Sequence, residues 1–182
     1  MLALIAIWAL AEAIVFFIVA DVPIMALGIR AGVKKALIGA FVAAASAALG
    51  GVGLAHYSAL WPKDVYPMLL AVPAIDAALV QRVFVDWDAH GAWGMMIGSF
   101  AGIPYKLYAF AAGLANGDSA NWLGWFFLAS ILARLPRFVL VALVSGLIGP
   151  RLVARFGARA VWVAFALAWA TFYAWYWSAM GF

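Results

Sequence analysis

The sequence predicts an all-α polytopic membrane protein, in which two broken or re-entrant hairpins pack with about three to four transmembrane helices in an inverted-repeat-like arrangement. Three observations predict it. First, 70% of the 182 residues are hydrophobic and only 10% are Asp, Glu, Lys or Arg. A soluble domain is nearer half apolar and a quarter charged, so lipid must be the solvent for most of this chain. Second, the apolar runs are of membrane-spanning length, roughly 20 residues each. Third, two of the runs are interrupted by proline, glycine and charge, as a helix that enters a bilayer and turns back must be.

Taken in order, the elements form a single membrane domain over residues 1–182. Residues 5–27 carry Glu12, Asp21 and Pro23 within an apolar run and read as the first broken element. The absence of a basic stretch before this run, and Glu12 inside it, argue against a cleaved signal peptide. Arg30, Lys34 and Lys35 then read as a basic loop. Residues 36–60 read as a transmembrane helix, with AAASAALGGVG (43–53) supplying small residues that let helix backbones approach closely in lipid. WPKDVYP (61–67) is interfacial punctuation, and residues 63–90 read as one amphipathic helix near the interface. Residues 91–114, with glycines, Pro104 and Lys106, read as the second re-entrant element. Asp118 or Ser119 is placed to cap the next helix, a span over 121–149 that contains Arg134, Pro136 and Arg137. A second basic loop, 150–159, holds Arg151, Arg155 and Arg159, and the last span is 160–180. Its Trp and Phe residues read as lipid-facing surface, with Trp175, Tyr176 and Trp177 at headgroup level. If both basic loops are cytoplasmic, 36–60 leaves, 121–149 returns, and 91–114 must dip in and come back.

The net charge of +4 reflects these basic clusters beside apolar runs, which suit membrane topology and contact with anionic lipid. No nucleic-acid motif is present. The absence of cysteine removes disulfides, thiolate metal sites and cysteine nucleophiles. No P-loop, dinucleotide fingerprint, HExxH or nucleophile elbow is present, so the expectation is a protein that is not an enzyme and needs no metal or cofactor. A pigment or haem role for His56 or His90 is a minor alternative.

The informative residues are the charges in apolar surroundings. A charge at the bilayer centre costs about 2.5–3.5 kcal/mol on insertion scales, so it pairs or lines a wet cavity. Glu12 and Asp21 against Lys106, Arg134 and Arg137 leave one positive charge in excess, suited to an anion such as a lipid phosphate. Arg134 and Arg137, three apart, share a helical face. Pro23, Pro104 and Pro136 read as breaks in these elements, and Pro104 and Pro136 also free backbone carbonyls beside the charges. Asp118 reads better as an interfacial residue. A purely structural salt bridge that fastens the hairpins is the competing account of the buried charges.

AEAIVFFIVADVP (11–23), GIPYKLYAFAAG (102–113) and FLASILARLPRFVLVALV (127–144) together resemble the DedA family, also called the VTT or SNARE-associated membrane-protein family, and most closely its YqaA-like branch. Glu12 and Asp21 keep the family's nine-residue spacing. Pro104, Tyr105, Lys106, Ala112 and Gly113 match a second motif, and Ala129, Ser130, Arg134, Arg137 and Phe138 a third. The family's first bend carries prolines before the acid; here Phe16, Phe17, Ile18, Val19 and Ala20 stand there, and Pro23 follows Asp21. The resemblance implies a multi-pass protein of the bacterial inner membrane with two opposed hairpins. It also implies translocation or scrambling of lipids or polyprenyl phosphates, coupled to protons. Lys106, Arg134 and Arg137 would hold the phosphate, and Glu12 and Asp21 would exchange protons. The expected partners are anionic membrane lipids, with a homo-oligomer or a larger membrane complex open. The alternative is a non-catalytic structural subunit of such a complex using the same fold.

Overall fold

The computed structural model describes residues 1–14, 18–117 and 119–179. Asp118 therefore lies outside the described residues, as do Phe16 and Phe17 of the first bend. The described residues are all-helical: α1 (Leu2–Ile14), α2 (Asp21–Leu60), α3 (Pro62–Leu70), α4 (Ala77–His90), α5 (Ala92–Ala101), α6 (Tyr105–Asn116), a 3₁₀ turn (Ala120–Trp122), α7 (Leu123–Phe156) and α8 (Ala158–Ala179). Three stretches are long and apolar enough to cross a membrane: Asp21–Leu60, Ala120–Phe156 and Ala158–Ser178. The chain is an all-α membrane protein.

α2 is two helices in one. Gly32 sits at φ 73°, ψ −175°, a conformation that L side chains avoid, and divides 21–31 from 33–60. The turn is sharp: a Cβ on Gly39 would touch both Leu27 and Ile5. The predicted basic loop at Arg30, Lys34 and Lys35 is therefore helix on both sides of one glycine. α1 runs alongside 33–60 in the same direction, with Ile5 at the level of Gly39 and Ala13 at the level of Gly50. Residues 21–31 run back alongside both, with Leu27 at the level of Gly39 and Ile5.

The long arm of α2 and α7 form the spine. Buried positions on the α2 arm are almost all alanine or glycine, from Ala36 and Gly39 through Gly51 to Ala55, as the small-residue run predicts. α7 buries Phe126, Ser130, Ala133, Arg134, Phe138, Ala142, Ser145 and Gly149, one stripe at helical spacing. The two helices are antiparallel. Gly146 lies against Val33, whereas Tyr105 bridges Gly51 to Ser130 nearer the other end.

At that other end the predicted helix over 63–90 is two. Pro73 lacks an amide donor and Ala74 takes φ 65°, so the chain cannot stay helical between α3 and α4. Asp76 then caps α4, its Oδ1 accepting from Leu79 N at 2.6 Å. Asp76→Ala should cost about 1 kcal/mol locally; hydrogen–deuterium exchange should show faster exchange confined to the first turn of α4. α5 and α6 are joined by Gly102, Ile103 and Pro104, with Gly102 left-handed at φ 78° and Pro104 extended before α6. α6 packs against α2, and a Cβ on Gly113 would strike the Ala55 carbonyl. Gly117 (φ 68°, ψ −163°) ends α6, and Ser119 Oγ accepts from Asn121 N at 3.4 Å to start the 3₁₀ turn.

Pro136 does not break its helix: α7 runs unbroken from Leu123 to Phe156. The proline only removes one amide donor, leaving the Leu132 carbonyl without its usual bond. Pro23 stands in the first turn of α2, where its missing donor costs nothing. The predicted 150–159 loop is likewise helical, with only Gly157 (φ 81°) separating α7 from α8.

Candidate functional site

All five charges singled out in the sequence meet in one cavity. It has a volume of about 180 Å³ and is lined by Glu12, Asp21, Lys106, Arg134 and Arg137, together with Pro104, Tyr105 and Ser99. That is room for several water molecules. The five charges arrive from four pieces of backbone. Glu12 ends α1, Asp21 begins α2, and Lys106 is the second residue of α6. Arg134 and Arg137 lie on the inward stripe of α7. The cavity thus sits where the α1–α2 bend and the α5–α6 bend meet, midway along the spine.

The ion pairs are specific. An Arg134 Nη2 donates to Glu12 Oε2, and an Arg137 Nη2 donates to Asp21 Oδ2. Arg137 Nε also reaches Asp21 Oδ2, at 3.1 Å, and its Nη1 donates to the Ser99 carbonyl on α5. One arginine therefore joins both bends. Glu12 and Arg134 are only 8% and 6% exposed, so this pair is out of solvent. Lys106 is 2% exposed beside them. Asp21 Oδ1 and Arg134 Nε are buried without a hydrogen-bond partner among the described residues.

Aromatic rings complete the enclosure. The Arg134 guanidinium stands 4.6 Å from the Tyr105 ring centre and 5.0 Å from that of Phe138. Such contacts strengthen when desolvated. The Tyr105 hydroxyl donates to Ser130 Oγ at 2.6 Å, fixing the ring. α8 supplies the remaining wall through Trp169, Phe172, Tyr173 and Tyr176. Tyr173 also accepts from the Val19 amide at 3.0 Å, and Trp8 Nε1 donates to the Ile18 carbonyl at 3.0 Å, so both hold the first bend.

The sequence reading missed this wall, taking the aromatics of the last span as lipid-facing. Residues 169, 172, 173 and 176 recur at helical spacing, which was the available signal. Tyr105, in the sequence only a motif residue beside Lys106, is part of the site. The acids and cations expected to neutralise one another do meet, as two carboxylate–arginine pairs.

The histidines are elsewhere. His90 Nδ1 lies 2.9 Å from Asp86 Oδ1, and Asp86 Oδ2 accepts from the Tyr108 hydroxyl at 2.6 Å, tying α4 to α6. His56 Nδ1 is buried without a partner among the described residues. No group of three or more metal-ligating side chains occurs among the described residues.

The chain matches no protein-family model, no curated protein and no solved structure.

Proposed function

We propose that this protein is a proton-linked translocase for a lipid or lipid phosphate in the bacterial inner membrane, of the kind the DedA-like motifs imply. The observation that carries the proposal is the buried cluster of two acids and three cations at the meeting of two helical bends. α1 and α5 have 13 and 10 residues. At 1.5 Å per residue they extend about 20 and 15 Å, too short for a hydrocarbon core of about 30 Å. Each is followed by a bend, a second short helix, a glycine at positive φ and a long helix. Gly32 and Gly117 have nearly the same dihedrals, φ 73°, ψ −175° and φ 68°, ψ −163°. The two long helices are antiparallel. We read these as two related units entering the membrane from opposite faces, with the cavity near the midplane, as alternating access requires.

The pairing suggests how proton and anion are linked. Arginine stays charged at any physiological pH. Protonating Glu12 or Asp21 releases its arginine, and a phosphate can then take up the freed guanidinium in bidentate fashion. Loss of the proton on the other side returns the arginine to the carboxylate and expels the phosphate. Lys106 adds the excess positive charge.

The test is reconstitution of the purified protein in vesicles, with a fluorescent phospholipid and a short-chain polyprenyl phosphate as probes, with and without a pH gradient. The wild type should move at least one probe faster under the gradient. Glu12→Gln should fold but lose the response to the gradient. A stably folded Glu12→Gln protein with an undiminished response would overturn the assignment.

One observation favours a second reading. Both arginines are already paired with carboxylates within the chain, as in a fastener of a structural subunit. That reading expects a fixed set of partner proteins on gentle purification from the native membrane, and no probe movement by the isolated chain.

A further inference from the structure

The chain is strongly polarised along its spine. Arg30, Lys34, Lys35, Arg151, Arg155 and Arg159 all lie toward one end, because Gly146 and Gly149 of α7 pack against residues 29–33 of α2. The sequence has no acid between Asp21 and Asp64 and none after Asp118. Glu12 and Asp21 are buried in the central cavity and paired there. Among the described residues the remaining acids, Asp64, Asp76, Asp86 and Asp88, lie on or beside α3 and α4, toward the opposite end.

At the basic end, an open groove of about 640 Å³ runs between the start of α1 and the end of the helix 21–31. Met1, Leu2, Ala3, Leu27 and Ala31 form its apolar lining, and Arg30 and Lys35 are its charged side chains. Both cations are exposed, and neither makes an ion pair or hydrogen bond among the described residues. The groove is separate from the central cavity: Leu2 in the one and Glu12 in the other stand about 15 Å apart along α1.

We propose that this groove is a binding site for an anionic phospholipid. The phosphate lies between Arg30 and Lys35, and an acyl chain lies along Leu2, Leu27 and the two alanines. Charge complementarity selects the occupant. Two cations with no acid nearby attract a headgroup of net negative charge. They offer nothing to the ammonium of a zwitterionic one. The apolar lining favours a lipid over a free phosphate ion. The bound lipid ties the start of α1 to the end of 21–31 and so closes the first helical unit at the end away from the bend beside Glu12 and Asp21. The proposal is independent of whether the central cavity transports anything.

The test compares the protein in nanodiscs of phosphatidylcholine alone with nanodiscs containing phosphatidylglycerol, by thermal melting and by native mass spectrometry. Phosphatidylglycerol should raise the melting temperature and remain bound as a discrete adduct. Arg30→Gln/Lys35→Gln should weaken that binding about thirtyfold, since each basic residue near a membrane surface contributes roughly fivefold. Melting in phosphatidylcholine should be unchanged. Arg155→Gln/Arg159→Gln removes the same charge and should keep the adduct. Equal loss in both double variants would mean diffuse attraction and would overturn the site. So would a wild type indifferent to phosphatidylglycerol, or an effect reproduced by inorganic phosphate. Dimers that vanish in Arg30→Gln/Lys35→Gln would assign the groove to a second copy of the chain instead.

Discussion

Arg134→Leu should destabilise the protein by about 3–5 kcal/mol, the usual cost of leaving one member of a buried ion pair behind. Glu12 is then a carboxylate, 8% exposed, with its principal donor gone and an aliphatic chain in its place. Tyr105 and Phe138 also lose the cation between them. Removing both charges, in Glu12→Leu/Arg134→Leu, should recover most of the loss, because apolar replacement of a whole buried pair is often neutral. Thermal unfolding in nanodiscs of the wild type, both single variants and the double variant closes the cycle. A double variant as unstable as the sum of the singles would show that the two groups are not coupled. The same proteins separate the two functional readings. A stable double variant that no longer moves lipid places the pair in the transport machinery, and one that still moves lipid makes it a fastener.

Gly146→Val should be comparably damaging for a different reason. A Cβ there would lie 2.6 Å from Val33 Cα and 2.7 Å from Val33 N. These are backbone atoms next to the Gly32 bend, so no side chain can swing away. Overpacking costs about 1–3 kcal/mol where neighbours can yield, and the rigid contact places this variant at the upper end or beyond. α7 and the long arm of α2 would be pushed apart, and the Arg134 and Arg137 pairs with them. Gly53→Ala is the control. Nothing lies within 4 Å of a Cβ at that helical position, so it should be neutral or mildly stabilising. Equal melting temperatures for Gly146→Val and the wild type would contradict the close approach of the two helices.

The charges were legible because lipid makes them expensive. Glu12, Lys106 and Arg134 stand out against long apolar flanks, and a shared site is the cheapest way to keep them. The small-residue run 43–53 announced a close helix contact for a similarly direct reason. What could not be read was which charge meets which. Arg134 with Glu12 and Arg137 with Asp21 are settled by where the α1–α2 bend reaches along α7, which no local pattern encodes. Gly32 was hidden because RAGVKK carries no proline and looks like a basic loop, whereas a single residue at positive φ suffices to turn the chain. Pro136 misled in the opposite direction, since the loss of one donor is tolerable when the helix is clamped on its inner face. The split of 63–90 depends on Pro73 and on Ala74 adopting a strained φ, of which only the proline is visible in advance. The wall formed by α8 escaped because aromatic residues suit both lipid and cavity, and only the partner across the gap decides between them.

The two ion pairs join residues 122 and 116 positions apart. During synthesis the first unit is therefore made long before its counter-charges exist. When α1 and the start of α2 leave the ribosome, Glu12 and Asp21 are without the arginines they pair with until α7 follows. The nascent chain must shelter two unneutralised acids at the insertion machinery, or leave that segment near the aqueous boundary and draw it inward later. The two pairs can close only once α7 has been made. A chain interrupted before residue 134 would be left with its acids bare in the membrane, a mark that quality-control proteases could recognise.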